Sequence, residues 1–440
     1  MTELQGKLKS TLGIGFGVAV AVGSMIGAGI LRAPADVATR LPMPLLFLGA
    51  WVVGGLYALM GANALAELGT MLPESGGQYV FVRRSLGPYA GFLVGWNDWL
   101  STCGSIAAVA IVAAEALGAL VPSLAGKVVL LATILIAIVT SVLLRGIRES
   151  DRAQQLTSAL KAVALLALVM SCLIARGTGA VSLPTASVQP IITPVGMALL
   201  SAFIIALQGI IYAYDGWTGV LYFSEEVRDV GREIPRSLFL GVISVIVLYL
   251  LLNVAFLVVL PMPVLAASPL AAASAATAVF GGKGGMLVQA LVVIALPSAI
   301  VANTLMASRV LFALGRAGAA PRWLSNVNAG GTPSASLLMG SLASVLFVFS
   351  GAFEKVITIC AFLFVASYSL SFASVFVMRR REPDLPRPFR ALGHPWTTGV
   401  VLVGSIVFLA GTVVEDPKNG LVALALVIVS YPVYRLFLRQ

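Results

Sequence analysis

Two short stretches carry the residues best suited to hold a charged small molecule. The first is Gly23-Ser-Met-Ile-Gly-Ala-Gly-Ile30, with three glycines inside an apolar run. The second is Tyr212-Ala-Tyr-Asp-Gly-Trp-Thr-Gly219, which places an acid, Asp215, between Tyr214 and Gly216. Glycine costs about 1 kcal/mol relative to alanine in a helix interior. In a bilayer, backbone polar groups need a partner unless they line a cavity or meet a ligand. A helix interrupted at such a point frees amides at the start of its second half, where the positive dipole end suits an anion. The carbonyls that end its first half suit a cation. A zwitterion fits both at once. For the first stretch taken alone, a packing motif of Gly23 with Gly27 is the competing reading.

Ionisable residues at bilayer depth are expensive and are functional candidates by default. Asp215 either meets a cationic group of the ligand and orders the unwound backbone, or caps the half-helix that follows. Lys161, in Ser158-Ala-Leu-Lys-Ala-Val163, either snorkels to the interface or stands as an interior ammonium in place of a coupling cation. Asp98, in Gly95-Trp-Asn-Asp-Trp-Leu100, lies well inside an apolar run, and the sequence assigns it no role. Glu67, with Glu225, Glu226, Arg228 and Arg236, belongs to charge networks at the cytoplasmic end. The single histidine, His394, and the three cysteines, Cys103, Cys172 and Cys360, have no metal-ligand spacing. No metal, cofactor or enzymatic triad is expected, and the chain does not read as an enzyme.

The elements that must position these residues are membrane helices. Of the 440 residues 59% are hydrophobic and only 10% charged, against about 25% charged in soluble domains. About twelve runs are long enough to cross a hydrocarbon core, near 12–40, 44–72, 88–117, 127–145, 153–175, 194–223, 236–260, 285–315, 333–350, 354–378, 397–414 and 419–438. The spacing leaves one polytopic domain, and no cleavable signal peptide is visible. With the N-terminus inside, 20 of the 28 Lys and Arg fall on the cytoplasmic side, among them Arg83, Arg232 and Arg379. Seven, including Arg32, Arg40 and Lys283, fall outside, and Lys161 lies within a span. That bias puts both termini in the cytoplasm. It explains the net charge of +10 without nucleic acid. The partners expected are a small-molecule substrate and the lipid bilayer.

Spans one and six, which hold the two glycine-rich stretches, each begin a five-helix unit. Paired interrupted helices in corresponding positions of two halves are the best sequence pointer to a transporter binding site.

At this point the residues resemble a known family. GSMIGAGIL in span one is followed by AELGTMLPESGGQYVFVRRSLGPYAGFLVGW across spans two and three, then YAYDGWTGVLYFSEEVRDVGREIPRSL after span six. ASRVLFALGRAGAAPRWL ends span eight, and MRRREPDLPRPFRALGHP follows span ten. Five such pieces in this order resemble the amino acid–polyamine–organocation transporter superfamily, nearest its L-type amino acid transporter branch and the bacterial serine/threonine exchangers. The resemblance implies an all-α membrane protein with a LeuT-like 5+5 inverted repeat, residues 12–175 and 194–378, and broken helices 1 and 6. Helices 11 and 12 cover 397–438.

It also implies a carboxylate site at Gly27, Ala28 and Gly29, with alanine where the family has serine. It implies an amine site at the carbonyls of Ile26 and of Tyr212–Ala213, and a gating aromatic at Tyr212. Asp215 stands where animal carriers have glycine, and Lys161 occupies the sodium site of sodium-coupled relatives. The expectation is a sodium-independent carrier of the cell membrane, working by alternating access and exchanging neutral L-amino acids. Proton-coupled symport through Lys161 and a polyamine or organic-amine carrier are the rivals, and a transport-dead sensor is a more distant one. The loop after span three, ALGALVPSLAGK, has no cysteine, so no disulfide-linked partner subunit is expected.

Overall fold

The computed structural model describes residues 13–74, 76–144, 151–179, 181, 192–328, 333–350 and 352–437. Among them every regular element is a helix. The first apolar run divides into α1 (Ile14–Met25) and α2 (Ala28–Arg40), bent by 44° at the break. There follow α3 (Pro44–Met71), α4 (Gln78–Leu86), α5 (Pro88–Leu120), α6 (Val128–Leu144) and α7 (Asp151–Thr178). Helix α8 (Met197–Tyr214) runs into a 3-10 stretch, Trp217–Glu226, before α9 (Val230–Val259). The chain continues through α10 (Met262–Ala266), α11 (Ala271–Phe280), α12 (Gly282–Arg316), α13 (Ser334–Val348), α14 (Phe353–Arg381), α15 (Trp396–Glu415) and α16 (Pro417–Phe437).

Among the described residues nine helices are long and apolar enough to cross a membrane, the bent pair α1–α2 makes a tenth, and α6, α11 and α13 are shorter apolar helices. Against about twelve expected spans this gives nine or ten, and the expected runs at 127–145 and 333–350 fall on the shorter helices α6 and α13. Large apolar side chains such as Leu45, Ile294 and Leu342 point outward, as they do on a surface solvated by lipid. Proline begins α3 and α5, where its missing N–H costs nothing. The short helices α4, α10 and α11 occupy connections that the apolar runs left open.

Helices α5 and α14 form the centre. In its most apolar window α14 is 78% buried and α5 67%, against 22% for α12 and α16, so lipid meets the latter two. Helix α1 packs on α9 and α7, whereas α2 packs on α8. The break thus divides two sets of neighbours.

One end of the bundle carries most of the arginines. Here Glu67, fully buried at the end of α3, accepts from Arg379 Nε at 2.8 Å and Nη2 at 2.6 Å. It also accepts from the Ala391 amide at 2.7 Å, and Arg387 Nε lies 3.4 Å away. Three donors around one carboxylate fasten α3 to α14 and to the loop after it. Beside them Arg84 makes a two-point contact with Glu382 at 3.0 and 2.7 Å, which holds the Glu382 carboxyl below its usual range. Of the residues expected in such a network, Glu67 is found, with α14 and its loop as partners. The side chains of Glu225 and Glu226 lie outside the described residues.

Candidate functional site

The helix stops at Met25 because the next two residues leave helical geometry, Ile26 at ψ 89° and Gly27 at φ −137°, ψ −154°. Helix α2 restarts at Ala28 with no side chain capping it. The first amides of a helix have no acceptor within it, so those of α2 are open to a ligand. The three residues of this turn have different neighbours. A Cβ built on Gly27 meets nothing within 4 Å, whereas one on Gly29 would lie 2.6 Å from Ala213 Cα and 2.9 Å from its Cβ. Gly27 therefore faces open space, and Gly29 lets the backbones of α2 and α8 touch.

The second break follows Tyr214. Asp215 is extended and Gly216 is left-handed at φ +106°, a conformation that favours glycine. A side chain at Gly216 would also collide with Ser24 and the Met25 amide, at 2.8–3.1 Å. The two breaks are thus in direct contact, and no larger residue than glycine fits between them. Tyr249 of α9 joins them from behind. Its buried hydroxyl lies 2.6 Å from the Met25 carbonyl and 3.1 Å from that of Ala213, the last carbonyl-rich turn of each first half. Trp51 and Tyr214 pack edge-on and tilted against its ring.

Between the breaks and α5, α12 and α14 lies a cavity lined by Gly27, Ala28, Gly29, Tyr212 and Asp215. The Asp215 carboxylate accepts from the Tyr368 hydroxyl, which anchors it to α14, and the Gly216 amide at the start of the 3-10 stretch also faces it. Asp98 of α5 lines the same cavity and accepts from the Tyr222 hydroxyl. Among the described lining residues these two acids meet no lysine, arginine or histidine. Ser367, buried with its hydroxyl unpartnered, is also in the wall. Such a chamber offers amides to an anionic group and carboxylates to a cationic one.

On the side away from the arginine-rich face, the cavity is roofed by a stack. The Tyr212 ring stands edge-on to Phe353 with centroids 6.0 Å apart, and the Arg32 guanidinium lies 4.9 Å above Phe353. Arg32 bonds to Glu115 of α5 and to Glu354 of α14 at 2.8 Å. One cation therefore ties the second half of the broken helix to two central helices, with Phe353 between it and Tyr212.

The residues named from sequence divide accordingly. Gly27, Ala28, Gly29, Tyr212 and Asp215 meet at one cavity. Ile26 and Ala213 do not line it; Ala213 backs Gly29 and its carbonyl faces Tyr249. Lys161 lies on α7, which packs against α1, and its side chain is half-buried away from the cavity wall. Sequence reasoning missed Tyr249, Tyr368 and the Arg32–Glu115–Glu354 cluster. Glu115, a lone acid in the apolar run Ala113-Ala-Glu-Ala-Leu117, was the available signal for the last.

Comparison with known proteins bears on this geometry. The profile of the amino acid permease family matches residues 17–434. The chain is 27% identical over 429 residues to the b(0,+)-type amino acid transporter 1 of Mus musculus, covering 94% of this chain and 85% of that protein. It is 26% identical over 447 residues to the serine/threonine exchanger SteT of Bacillus subtilis (strain 168), covering 98% of each. It is 29% identical over 443 residues to the large neutral amino acids transporter small subunit 2 of Mus musculus, covering 97% of this chain and 81% of that one.

Proposed function

The chain belongs to the amino acid permease family, a multi-pass membrane transporter and not an enzyme, and on that footing we propose that it exchanges amino acids across the membrane without sodium. The observation that carries this reading is the convergence of two helix breaks on one cavity, with the amides of Gly27, Ala28 and Gly29 on one side and Asp215 on the other. The α-carboxylate binds those amides, where Ala28 offers no hydroxyl. The α-amine binds near Asp215, and the carbonyls of Ile26 and Ala213, set back from the cavity wall, are the further acceptors that the resemblance names. Tyr212 closes over the bound molecule, and the Arg32 cluster seals that side. Placement of Lys161 on the helix beside α1 supports the sodium-free reading, because a fixed ammonium there takes the place of a coupling cation.

In this reading helices 1–5 (12–175) and 6–10 (194–378) form the inverted repeat whose rocking exposes the cavity to each side. The arginine-rich face is cytoplasmic, and with it both termini. All three cysteines are buried, which supports function without a disulfide-linked subunit. Neutral L-amino acids are the substrates the resemblance favours.

The test is transport into liposomes containing the purified chain. Uptake that requires amino acid inside, and that ignores sodium and pH gradients, is the expected result. Strong net uptake into empty vesicles driven by inward protons overturns exchange in favour of proton symport. A second reading, a carrier of organic amines, draws on Asp98, a second acid in a cavity that one α-amine leaves without a counter-charge. Thermal stabilisation by diamines lacking a carboxylate, with none by amino acids, would establish that reading and remove the role given to Gly27–Gly29.

A further inference from the structure

On the arginine-rich face, away from the substrate cavity, a groove of about 700 Å3 opens where the start of α1, the start of α9 and the loop at Pro388–Phe389 meet. Its floor is apolar. Phe239 stands against Phe389 with ring centroids 5.9 Å apart, and Ile14 and Pro235 complete it. Its rim holds Arg232 and Arg236, both exposed. Neither guanidinium makes an ion pair among the described residues. Of the nearby acids, Asp229 caps α9 through the Arg232 amide, and Glu233, whose Oε2 has no partner among the described residues, lies near Gly13 and outside the groove lining.

The same helix face continues from the arginines into lipid. Residues 232, 236, 240, 243, 247, 251 and 254 recur at steps of three and four, one stripe of a helix. Its last five are Leu240, Ile243, Val247, Leu251 and Val254, exposed by 50, 45, 50, 40 and 38%. At 1.5 Å per residue the apolar part extends about 21 Å, most of the roughly 30 Å hydrocarbon core. Its end one turn beyond Leu240 therefore sits at headgroup depth. Two unpaired guanidinium groups at that depth, above an apolar floor and continuous with an acyl-length stripe, match a phosphate joined to a hydrocarbon chain.

We propose that this groove binds the headgroup of an anionic phospholipid, with one acyl chain lying along the Leu240–Val254 stripe. The site touches the moving part of the substrate machinery. Below the groove α1 and α9 are in backbone-close contact, since a Cβ on Gly17 would meet Ser237 Oγ at 2.3 Å and one on Gly241 would meet Ala21 Cβ at 2.7 Å. A lipid held there braces the half-helix that ends at the first break.

Purified full-length chain in detergent is titrated with phosphatidylglycerol or phosphatidylcholine and followed by thermal unfolding and native mass spectrometry. Phosphatidylglycerol is expected to raise the unfolding midpoint by several degrees more than phosphatidylcholine and to remain bound. Arg232→Gln with Arg236→Gln should weaken that binding about fivefold for each arginine, roughly 25-fold together, with the midpoint in phosphatidylcholine unchanged. Arg322→Gln with Arg380→Gln, both exposed and outside the groove lining, removes equal charge and should keep the response. Leu240→Asn, which leaves both charges, should also weaken retention of the lipid. The proposal is overturned by an equal phosphatidylglycerol response in the groove variant, or by equal loss in the distant one. It is also overturned if glycerol phosphate without acyl chains gives the same shift, which would make this a site for soluble anions.

Discussion

Gly27 and Gly29 lie two residues apart in one turn, yet alanine at each should fail for a different reason. At Gly29 the new methyl falls 2.6 Å from Ala213 Cα and 2.9 Å from its Cβ. Carbon atoms in contact rest at roughly 3.5–4.0 Å, so α2 and α8 must part by about 1 Å. Overpacking of this kind costs about 1–3 kcal/mol, and the blocking atom is backbone, which cannot rotate aside. At Gly27 nothing lies within 4 Å, and φ −137°, ψ −154° is open to alanine. Folding should be unaffected, but the methyl enters the space beside the amides offered to the carboxylate. Thermal unfolding without substrate, then substrate-induced stabilisation, separates the two. Gly29→Ala should lower the unfolding midpoint. Gly27→Ala should keep it and lose about tenfold or more in amino acid affinity, the scale of one methyl group in a fitted pocket. Equal loss of stability in both, or undiminished affinity in Gly27→Ala, would refute the division.

Arg32→Gln removes the cation between Glu115 and Glu354 and leaves two acids facing each other, so the roof over Tyr212 should loosen; labelling of a cysteine placed in the cavity wall at Ser105 of α5 (Ser105→Cys) from that side should rise severalfold, against a low background from three buried cysteines, and an unchanged rate argues against a seal. Glu67→Ala strips the carboxylate from Arg379 and Arg387, and breaking one side of a buried pair costs about 3–5 kcal/mol; the yield of monodisperse protein on size exclusion should collapse. His394, beside Thr398 at 3.1 Å, has its pKa lowered from 6.5 by burial and then by Arg379. Its neutral form is the one the fold favours, so its contribution is present above pH 6.5 and lost as pH falls below it. Unfolding midpoints measured across that range should decline less steeply in His394→Gln.

The sequence disclosed the spans because each is a self-contained apolar run, and it disclosed both breaks because glycine and an intramembrane acid are local signals. It did not separate Gly27 from Gly29, since only the position of Ala213, 184 residues further on, distinguishes them. Arg32 counts in the sequence only as one of the charges on the outer side, for the same reason. Its partners lie 83 and 322 residues away, and pairing across such distances leaves no period in the chain. Asp98 was visible as a buried acid without a role, and what gives it one is the shared cavity with Asp215. Helices α4, α10 and α11 were missed because they are too short to show an apolar run of spanning length.

Tyr249 has one hydroxyl hydrogen and two carbonyls to serve. At any instant it can be centred on only one of Met25 and Ala213, and the other carbonyl is left short. In the proposed binding mode it acts as a resident stand-in for the ammonium group, holding the place until the substrate arrives. Binding is then in part a replacement, because the Ala213 carbonyl is the one oxygen that the tyrosine and the proposed amine share. A molecule without an amine offers nothing to take over from the tyrosine. The empty carrier is in this sense already occupied by itself.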